Sequence, residues 1–288
     1  MINESFVKQY TASALKEDHY RQDITSQMLI SPQHRSQATI LAKEDGVVCG
    51  LQFLQMTFRL VDTQLQVVTK YRDGMKIKKG NVLAIIRGKT QSLLSAERTA
   101  LNFVSYLSGI ATQTHHYVQA IKPFKAKILD TRKTTPTLRM LEKYAVKCGG
   151  GENHRFHLKE MILIKDNHLA ASQPKLSIEE VIQKFRKKTK APIELEIDHL
   201  SQLNEALKTP PDFILLDNMT IPQLKKAVEI VKHSKLRTKP LLEASGGITL
   251  KNVRAVAQTG VDRISIGALT HTHRCLDVSM EINYVKTH

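Results

Sequence analysis

The stretch that decides the fold spans residues 213–247 and reads FILLDNMTIPQLKKAVEIVKHSKLRTKPLLEASGG. Two short apolar runs, Phe213–Asp217 and Leu241–Ser245, flank a helical pattern at 222–232. Two parallel strands need a crossover connection, usually a helix, and are covered on both faces, so they are short and almost continuously apolar. The stretch therefore predicts one strand–helix–strand unit of a parallel sheet.

The same alternation continues on both sides of this unit. Strands are predicted at 126–130, 161–165, 193–197, 213–217, 241–245 and 263–267, and helices at 137–146, 178–187, 201–208, 222–232 and 250–258. Ser177 and Glu180 have the spacing of a capping box at the start of the second of these helices. Six buried strands that alternate with helices predict an α/β fold with a parallel sheet.

The chain before this region has a different pattern. It predicts a small α+β unit with helices at 1–15 and 51–58 and strands at 37–42, 46–50, 65–71 and 81–86. A long helix follows at 95–118, with an apolar face made by Ala100, Leu101, Val104, Leu107 and Ala111. The sequence thus contains two regions of different architecture.

Composition narrows the class of protein. The 288 residues include 43 Lys plus Arg and 27 Asp plus Glu, which gives a formal net charge of +16. The apolar content of 41% excludes a disordered chain. No apolar run is long enough for a membrane span, and the first twenty residues lack the apolar core of a signal peptide. The three cysteines are too far apart in sequence for a disulfide framework, so we expect a cytoplasmic protein with anionic partners.

Polar residues or glycine end each predicted strand. If the sheet curves into a barrel, these ends meet at one rim, where active sites of (β/α) barrels lie. The cations near this rim suit carboxylates and phosphates, because guanidinium groups bind both bidentately; they are Arg98, Arg132, Lys133, Arg139, His154, Arg155 and Lys165. Glu196 and Asp217 suit Mg²⁺ or sugar hydroxyls, or they neutralise nearby lysines. The segment Ser245-Gly246-Gly247 and Gly267 can present backbone N–H groups to a phosphate.

Ten motifs, in this order and spacing, carry a resemblance to a known family. They are SAERTALN (95–102), LSGIAT (107–112), LDTRKTTP (129–136), EKYA (142–145), CGGG (148–151), NHR (153–155), IKDNH (164–168), LLDNM (215–219), EASGGI (243–248) and IGALTH (266–271). Together they resemble the quinolinate phosphoribosyltransferases, which are type II phosphoribosyltransferases, over nearly the whole chain.

The resemblance implies a fold and an assembly. We expect an N-terminal α/β sandwich domain at 1–112, joined by the tail 272–288, and an incomplete (β/α) barrel at 113–271. The resemblance also implies a homodimer, either alone or within a higher oligomer, in which Arg98 of one subunit reaches the quinolinate bound by its partner.

The implied reaction joins quinolinate to 5-phosphoribosyl 1-pyrophosphate (PRPP) with Mg²⁺, and gives nicotinate mononucleotide, pyrophosphate and CO₂ for NAD biosynthesis. By resemblance, the catalytic residues are Lys133, Lys165, Glu196 and Asp217. The implied quinolinate ligands are Arg98, Arg132, Lys133, His154, Arg155 and Lys165. The implied PRPP ligands are Glu196, Asp217, Ser245, Gly246 and Gly267, with Glu196 and Asp217 also expected to bind Mg²⁺.

Two alternatives remain at this point. One is a phosphoribosyltransferase of the same fold with a different acceptor, such as nicotinate; the pair Arg98 and Arg155 disfavours it, because a monocarboxylate does not need two guanidinium groups. The other is a nucleic-acid-binding protein, which the net charge alone would favour. Such a protein would carry basic residues along one helix with interleaved aromatic residues, and these are absent.

Overall fold

The computed structural model describes residues 2–284 of the chain. By internal contacts the chain divides into two units: the first contains the residues up to His115, Met140–Gly150 and the residues from Thr272 onward, and the second contains His116–Arg139 and Gly151–His271. The sequence assigned all of 113–271 to the barrel, so the contacts differ from that assignment chiefly at Met140–Gly150. The last four residues of the predicted tail, 285–288, lie outside the described residues.

The elements follow one another along the chain. The helices are α1 (Glu4–Glu17), α2 (Ile24–Leu29), α3 (Leu51–Val61), α4 (Thr90–Ala120), α5 (Arg139–Cys148), α6 (Asp166–Ala170), α7 (Ile178–Lys188), α8 (Leu200–Ala206), α9 (Ile221–His233), α10 (Val253–Gln258) and α11 (Ala268–His271). The strands are β1 (Arg35–Ala42), β2 (Gly46–Val47), β3 (Gln66–Thr69), β4 (Lys76–Ile77), β5 (Val82–Lys89), β6 (Lys127–Leu129), β7 (Ile162–Ile164), β8 (Ile193–Ile197), β9 (Phe213–Asp217), β10 (Leu241–Ser245), β11 (Arg263–Ser265) and β12 (Val278–Tyr284).

The first unit is built on a four-stranded antiparallel sheet in the order β12–β1–β5–β3. β1 alternates between covered and open positions, and Ala38, Ile40 and Ala42 are wholly buried. Apolar side chains of α3 and α4 complete this core. The pairing of β12 with β1 confirms that the tail returns to the sandwich.

α4 has the apolar face that the sequence predicts. All five residues of that face, Ala100, Leu101, Val104, Leu107 and Ala111, are buried. Because they recur at three- and four-residue steps, they lie along one side of the helix and pack against the core.

The second unit is built on a six-stranded parallel sheet in the order β6–β11–β10–β9–β8–β7. Three of the predicted strands, 193–197, 213–217 and 241–245, match β8, β9 and β10 residue for residue. β6 and β7 stand at the two ends of the strand order. Together the antiparallel sandwich and this open parallel sheet confirm the predicted fold class.

α5 packs within the first unit through polar and close contacts. The Tyr144 hydroxyl donates to Asp73 at 2.8 Å, and the Tyr106 hydroxyl donates to Glu142 at 2.5 Å. Gly149, directly after α5, lies so close to the backbone of Ala111 that a Cβ atom would overlap it. These contacts explain why Met140–Gly150 groups with the first unit. Among residues 2–284, no helix is both long and apolar enough to span a lipid bilayer.

Candidate active site

An open cavity of about 590 Å³ lies in the second unit, at the carboxyl ends of the parallel strands. Its lining includes the predicted residues Arg132, Lys133, His154, Arg155, Lys165, Glu196, Asp217, Ser245, Gly246 and Gly267. This end of the sheet holds the active site in (β/α) barrels. The structure therefore brings together every residue of the second unit to which the resemblance assigns a catalytic or ligand-binding role.

Glu196 and Asp217 lie at the carboxyl ends of neighbouring strands. β8 buries Ile197 on its covered face and, by alternation, directs Glu196 to the cavity. Asp217 ends β9, beside its register partner Ser245 on β10, and accepts a hydrogen bond from the side chain of Asn218 at 2.8 Å. Strand register thus places two carboxylates and a hydroxyl on one wall.

Lys165 forms an ion pair with Glu196. It follows β7 directly, and its Nζ lies 3.0 Å from Oε2 of Glu196. The sequence left open whether the acidic residues neutralise nearby lysines, and in this structure Glu196 does so. The Lys165 side chain is nevertheless 46% exposed, so the pair remains open to a ligand in the cavity.

Arg132 and Arg155 bring two guanidinium groups to the cavity. Burial, and then the positive charge of Arg132, lowers the pKa of Arg155. One nitrogen of Arg155 donates to the carbonyl of Met161 at 2.9 Å, which fixes the side chain. The effect of the Arg132 charge on this pKa means that the two guanidinium groups repel each other, and an anion bound between them would relieve that repulsion.

Arg139, another member of the predicted basic set, has a different position. Its Nη1 donates to the carbonyl of Phe156 at 2.9 Å and its Nε to the hydroxyl of Thr134 at 3.0 Å. It therefore ties together the loops that carry Lys133 and Arg155.

Lys133 is held through its backbone. Its N–H donates to the hydroxyl of Thr131 at 3.0 Å, and its carbonyl accepts from the hydroxyl of Thr270 at 2.6 Å. A Cβ atom at Gly267 would lie 3.1 Å from Cδ of Lys133. Glycine at 267 leaves room for this lysine side chain beside the cavity.

A buried ionic cluster lies beneath the cavity. Nε2 of His154 lies 2.9 Å from Glu194 and 3.4 Å from Glu243, and Glu243 in turn lies 2.9 Å from Nε of Arg263. Both glutamates are wholly buried, and His154 is 6% exposed. Burying charged groups costs desolvation free energy, and in this cluster each carboxylate lies within ion-pair distance of an oppositely charged partner.

The protonation of His154 depends on this cluster. Burial lowers the pKa of His154, but hydrogen bonds to Glu194 and Glu243 outweigh burial and raise the pKa to about 9. The backbone N–H of Arg155 points at Nδ1 from 2.8 Å and opposes a second proton there. The two carboxylates therefore favour a positive charge on His154 under the cavity, whereas the Arg155 N–H favours the neutral ring.

The conformation of the loop after β10 requires a glycine at position 246. Gly246 has a φ of +90°, a left-handed conformation, and a Cβ atom there would overlap the side chain of Asn218. This conformation lets the backbone of residues 245–247 line the cavity.

Arg98 belongs to the first unit. It lies exposed on α4 and lines a separate cavity of about 470 Å³ with Asp18, Asp23 and Ser95. It is the one predicted site residue that the structure does not place in the cavity of the second unit.

Sequence reasoning missed two members of the buried ionic cluster around His154. Glu194 and Arg263 were not singled out, although both lie on the inner face of the sheet. A signal was present in β8, where Glu194 and Glu196 are two residues apart in an apolar strand and therefore share one face.

Comparison with sequence families matches nearly the whole chain. The N-terminal domain of quinolinate phosphoribosyl transferase matches residues 23–108, and the C-terminal domain of the same family matches residues 110–281.

Individual relatives agree with the family match. A probable nicotinate-nucleotide pyrophosphorylase (carboxylating) of Synechocystis is 42% identical over 272 residues, which cover 93% of this chain and 90% of that protein. The corresponding Bacillus subtilis protein is 43% identical over 90% of this chain and 88% of its own length. The solved structure of the nicotinate-nucleotide pyrophosphorylase of Francisella tularensis superposes with a TM-score of 0.92 at 34% identity, over 98% of both chains.

Proposed function

The chain belongs to the quinolinate phosphoribosyltransferase family, and from that premise we propose that it transfers a phosphoribosyl group from PRPP to quinolinate. The products are nicotinate mononucleotide, pyrophosphate and CO₂, a step of NAD biosynthesis. The observation that carries the proposal is the cavity at the strand ends, where two guanidinium groups and two lysines face two carboxylates.

The first chemical demand is the loss of pyrophosphate from C1 of the ribose. The departing oxygens gain negative charge while the ribose gains oxocarbenium character, so the site must stabilise both signs. We assign the ribose side to Glu196 and Asp217, and the anionic side to Lys133, Lys165 and Arg132.

Mg²⁺ fits the acidic wall of the cavity. This ion is bound in proteins by one or two carboxylates together with substrate phosphates, and Glu196 and Asp217 supply two carboxylates from neighbouring strands. When bound, the ion would take up charge that develops on pyrophosphate. Glu196 would exchange Lys165 for the ion or share its two oxygens between them.

The second chemical demand is the loss of the C2 carboxylate of the pyridinium as CO₂. The bond to C2 breaks, its electron pair stays on the ring, and C2 then takes a proton. Cations that hold the dicarboxylate also stabilise this electron pair. We assign that role to Arg132, Arg155 and Lys133, above the charged His154.

We assign the 5′-phosphate of PRPP to the two glycine-containing segments. Ser245, Gly246 and Gly267 all line the cavity, at the carboxyl ends of β10 and β11, which are the last two strands of the parallel sheet along the chain. Loops at this position are the usual phosphate site of (β/α) barrels.

The assembly and location are further parts of the proposal. We propose a homodimer, either alone or within a higher oligomer, in which Arg98 of one subunit completes the quinolinate site of its partner. We also propose a cytoplasmic location. Two observations support a shared arginine: its exposure on α4 and its position outside the cavity of its own second unit.

The decisive experiment follows CO₂ release from quinolinate labelled at the C2 carboxylate. We expect release only with both PRPP and Mg²⁺, matched one to one by nicotinate mononucleotide. Consumption of nicotinate without CO₂ release would contradict the proposed acceptor, and inactivity with both acceptors would contradict the proposed reaction.

A pair of variants ties the activity to the cavity. Lys133→Ala removes a cation from the lining and should lower kcat far more than it raises KM, if Lys133 acts in the transition state. Lys127→Ala removes an exposed lysine from the start of β6, whereas Lys133 lies in the loop after this strand. It should leave kcat and KM unchanged. Full kcat in Lys133→Ala would exclude a transition-state role.

A further inference from the structure

Two cysteines that are far apart in sequence meet in the first unit. Cys49 directly precedes the N-cap residue of α3, and Cys148 is the last residue of α5. Their sulfur atoms and a carboxylate oxygen of Asp73 all lie within 4.8 Å of one another. Cys49 is wholly buried, whereas Cys148 is half-buried and is the more exposed of the two.

The backbone around both cysteines is fixed. The N–H of Cys49 donates to the hydroxyl of Ser108 at 2.8 Å, and that hydroxyl lies 3.1 Å from the Cys49 carbonyl. At the second cysteine, a Cβ atom added to Gly74 would lie only 3.3 Å from the carbonyl oxygen of Cys148, and Gly149 packs against α4. Neither residue can move far, so the two sulfur atoms stay near each other in the folded protein.

The carboxylate of Asp73 is committed to the local fold. It accepts the N–H groups of Gly50 and Leu51, each at 3.0 Å, and the hydroxyl of Tyr144 at 2.8 Å. These bonds cap the start of α3 and hold α5. A metal ion would have to compete with all three, and the two thiols alone are too few ligands for a closed tetrahedral site. Chemistry between the thiols is therefore favoured over metal binding.

We propose that Cys49 and Cys148 form a reversible disulfide when the protein meets a peroxide. The Cys148 thiolate attacks one peroxide oxygen, which breaks the O–O bond and leaves a sulfenic acid and hydroxide. Cys49 then attacks the sulfenic sulfur and displaces its hydroxyl group as water. In sum, two thiols are oxidised, and one hydrogen peroxide is reduced to two waters.

The two thiols have different roles because their surroundings differ. Burial, with the nearby Cys148 thiol and the Asp73 charge, raises the pKa of Cys49, so Cys49 is a poor first nucleophile. Cys148 is the more accessible thiol and meets the oxidant first. As Cys49 attacks, Asp73 is near enough to accept its proton, and burial raises the pKa of Asp73 in favour of that transfer.

Bond formation requires a modest movement. A disulfide has an S–S length of about 2.05 Å, so the sulfur atoms must approach from their present separation by side-chain rotation. Because the backbone at both cysteines is held, rotation about the Cα–Cβ bonds must supply this movement.

The test uses the full-length protein with hydrogen peroxide as the oxidant. Thiols are counted under denaturing conditions after alkylation, and disulfide-linked peptides are mapped by mass spectrometry. We expect the count to fall from three to one, with a Cys49–Cys148 peptide that disappears on treatment with dithiothreitol. The exposed third cysteine supplies the matched control: Cys275→Ser should keep the linked peptide and fall from two thiols to none.

Several results would overturn the proposal. These are an unchanged thiol count, a link through Cys275, and oxidation of Cys148 to the sulfinic acid without a link. Stoichiometric binding of Zn²⁺ that protects both thiols would assign the cluster to a metal instead. Because the wild-type protein is mapped directly, no outcome depends on whether a Cys49 variant folds. None of these results bears on the transferase activity, so the two proposals stand or fall separately.

Discussion

Glu243 is wholly buried and ionically paired on two sides. It lies between His154, which lines the cavity, and Arg263. The guanidinium carbon of Arg263 lies 4.4 Å from the centre of the Phe213 ring. Placing charged residues in this layer costs desolvation free energy, which only good pairing offsets. The layer therefore holds the cavity floor in one arrangement, and removing Glu243 takes the carboxylate partner from Arg263 and one of two such partners from His154.

The first prediction concerns this pairing. Glu243→Ala should lower the free energy of unfolding by about 3–5 kcal/mol, because Arg263 and His154 lose a partner in a dry environment. Glu229→Ala is the matched control: its pair with Lys226 is 3.7 Å long and more than half exposed, so we expect a loss of at most about 1 kcal/mol. Urea denaturation measures both, and equal losses would refute the buried-cluster argument.

The second prediction concerns pH. His154 has a pKa of about 9 in the folded protein and an ordinary value of 6.5. The folded state binds the proton more tightly, so this stabilisation is complete below pH 6.5 and is lost as pH rises to about 9. We expect the free energy of unfolding to fall by on the order of 1–3 kcal/mol across this range.

The control for the pH prediction is His154→Gln. This variant lacks the titrating group and should show a flatter profile between pH 6.5 and pH 9 than the wild-type protein. Identical slopes in the two proteins would mean that another group is responsible.

The third prediction concerns the glycine loop. Gly246→Ala places a Cβ atom against Asn218 at a left-handed φ of +90°, so we expect KM for PRPP to rise at least about tenfold. Gly80→Ala has a similar φ of +85° but no neighbour within 4 Å. It shares the backbone strain without the collision and should leave KM unchanged. A normal KM in Gly246→Ala would remove this loop from the phosphate site.

At the scale of single residues, the sequence predicted which residues line the cavity better than it predicted the buried ionic cluster beneath the cavity. Asp217 and Ser245 could be foreseen because residues at the ends of parallel strands must meet at one edge. Glu194 could not be assigned a partner, because His154 reaches it from the loop between α5 and β7, whose path depends on tertiary packing.

At the scale of elements, α7 begins as the sequence predicts. Ser177 accepts the N–H of Glu180 at 3.3 Å, and the Glu180 side chain accepts the N–H of Ser177 at 2.8 Å, which confirms the capping box. Both bonds satisfy backbone donors that the helix itself leaves unpaired.

The fourth prediction follows from this cap. Ser177→Ala should lower the free energy of unfolding by about 1 kcal/mol, since the first turn of α7 loses an acceptor. Ser201→Ala, at an exposed position inside α8, should change it by less than about 0.5 kcal/mol. Thermal or urea unfolding distinguishes them, and a neutral Ser177→Ala would mean that water replaces the cap without cost.

The elements that the sequence missed are short or depend on distant partners. α2 and α6 have six and five residues, too few for a clear helical period. β12 could be placed only by resemblance, because its pairing with β1 joins the two ends of the chain. The strands β8, β9 and β10 were recognisable because each is a short, mostly apolar run between two helical patterns.

At the scale of the whole molecule, the proposed sharing of Arg98 makes the fifth prediction. Arg98→Ala and Lys133→Ala should each be nearly inactive as pure proteins. When the two variants are coexpressed and pair at random, about half of the dimers are mixed. In each mixed dimer one of the two sites has both native residues, so about a quarter of wild-type activity should return.

The matched control for this mixing uses two residues of the same cavity. Lys133→Ala with Lys165→Ala should recover no activity, because both lysines belong to the second unit of one chain. Recovery in this control, or none with Arg98→Ala, would contradict a shared site.

The place of β12 has a consequence for protein synthesis. β1 ends at Ala42, but its neighbour β12 begins only at Val278. At about 5–20 residues per second, a ribosome needs on the order of tens of seconds to make the intervening chain. Throughout that time one edge of β1 is open to pairing with other nascent chains. The unit that leaves the ribosome first is thus the last to be completed.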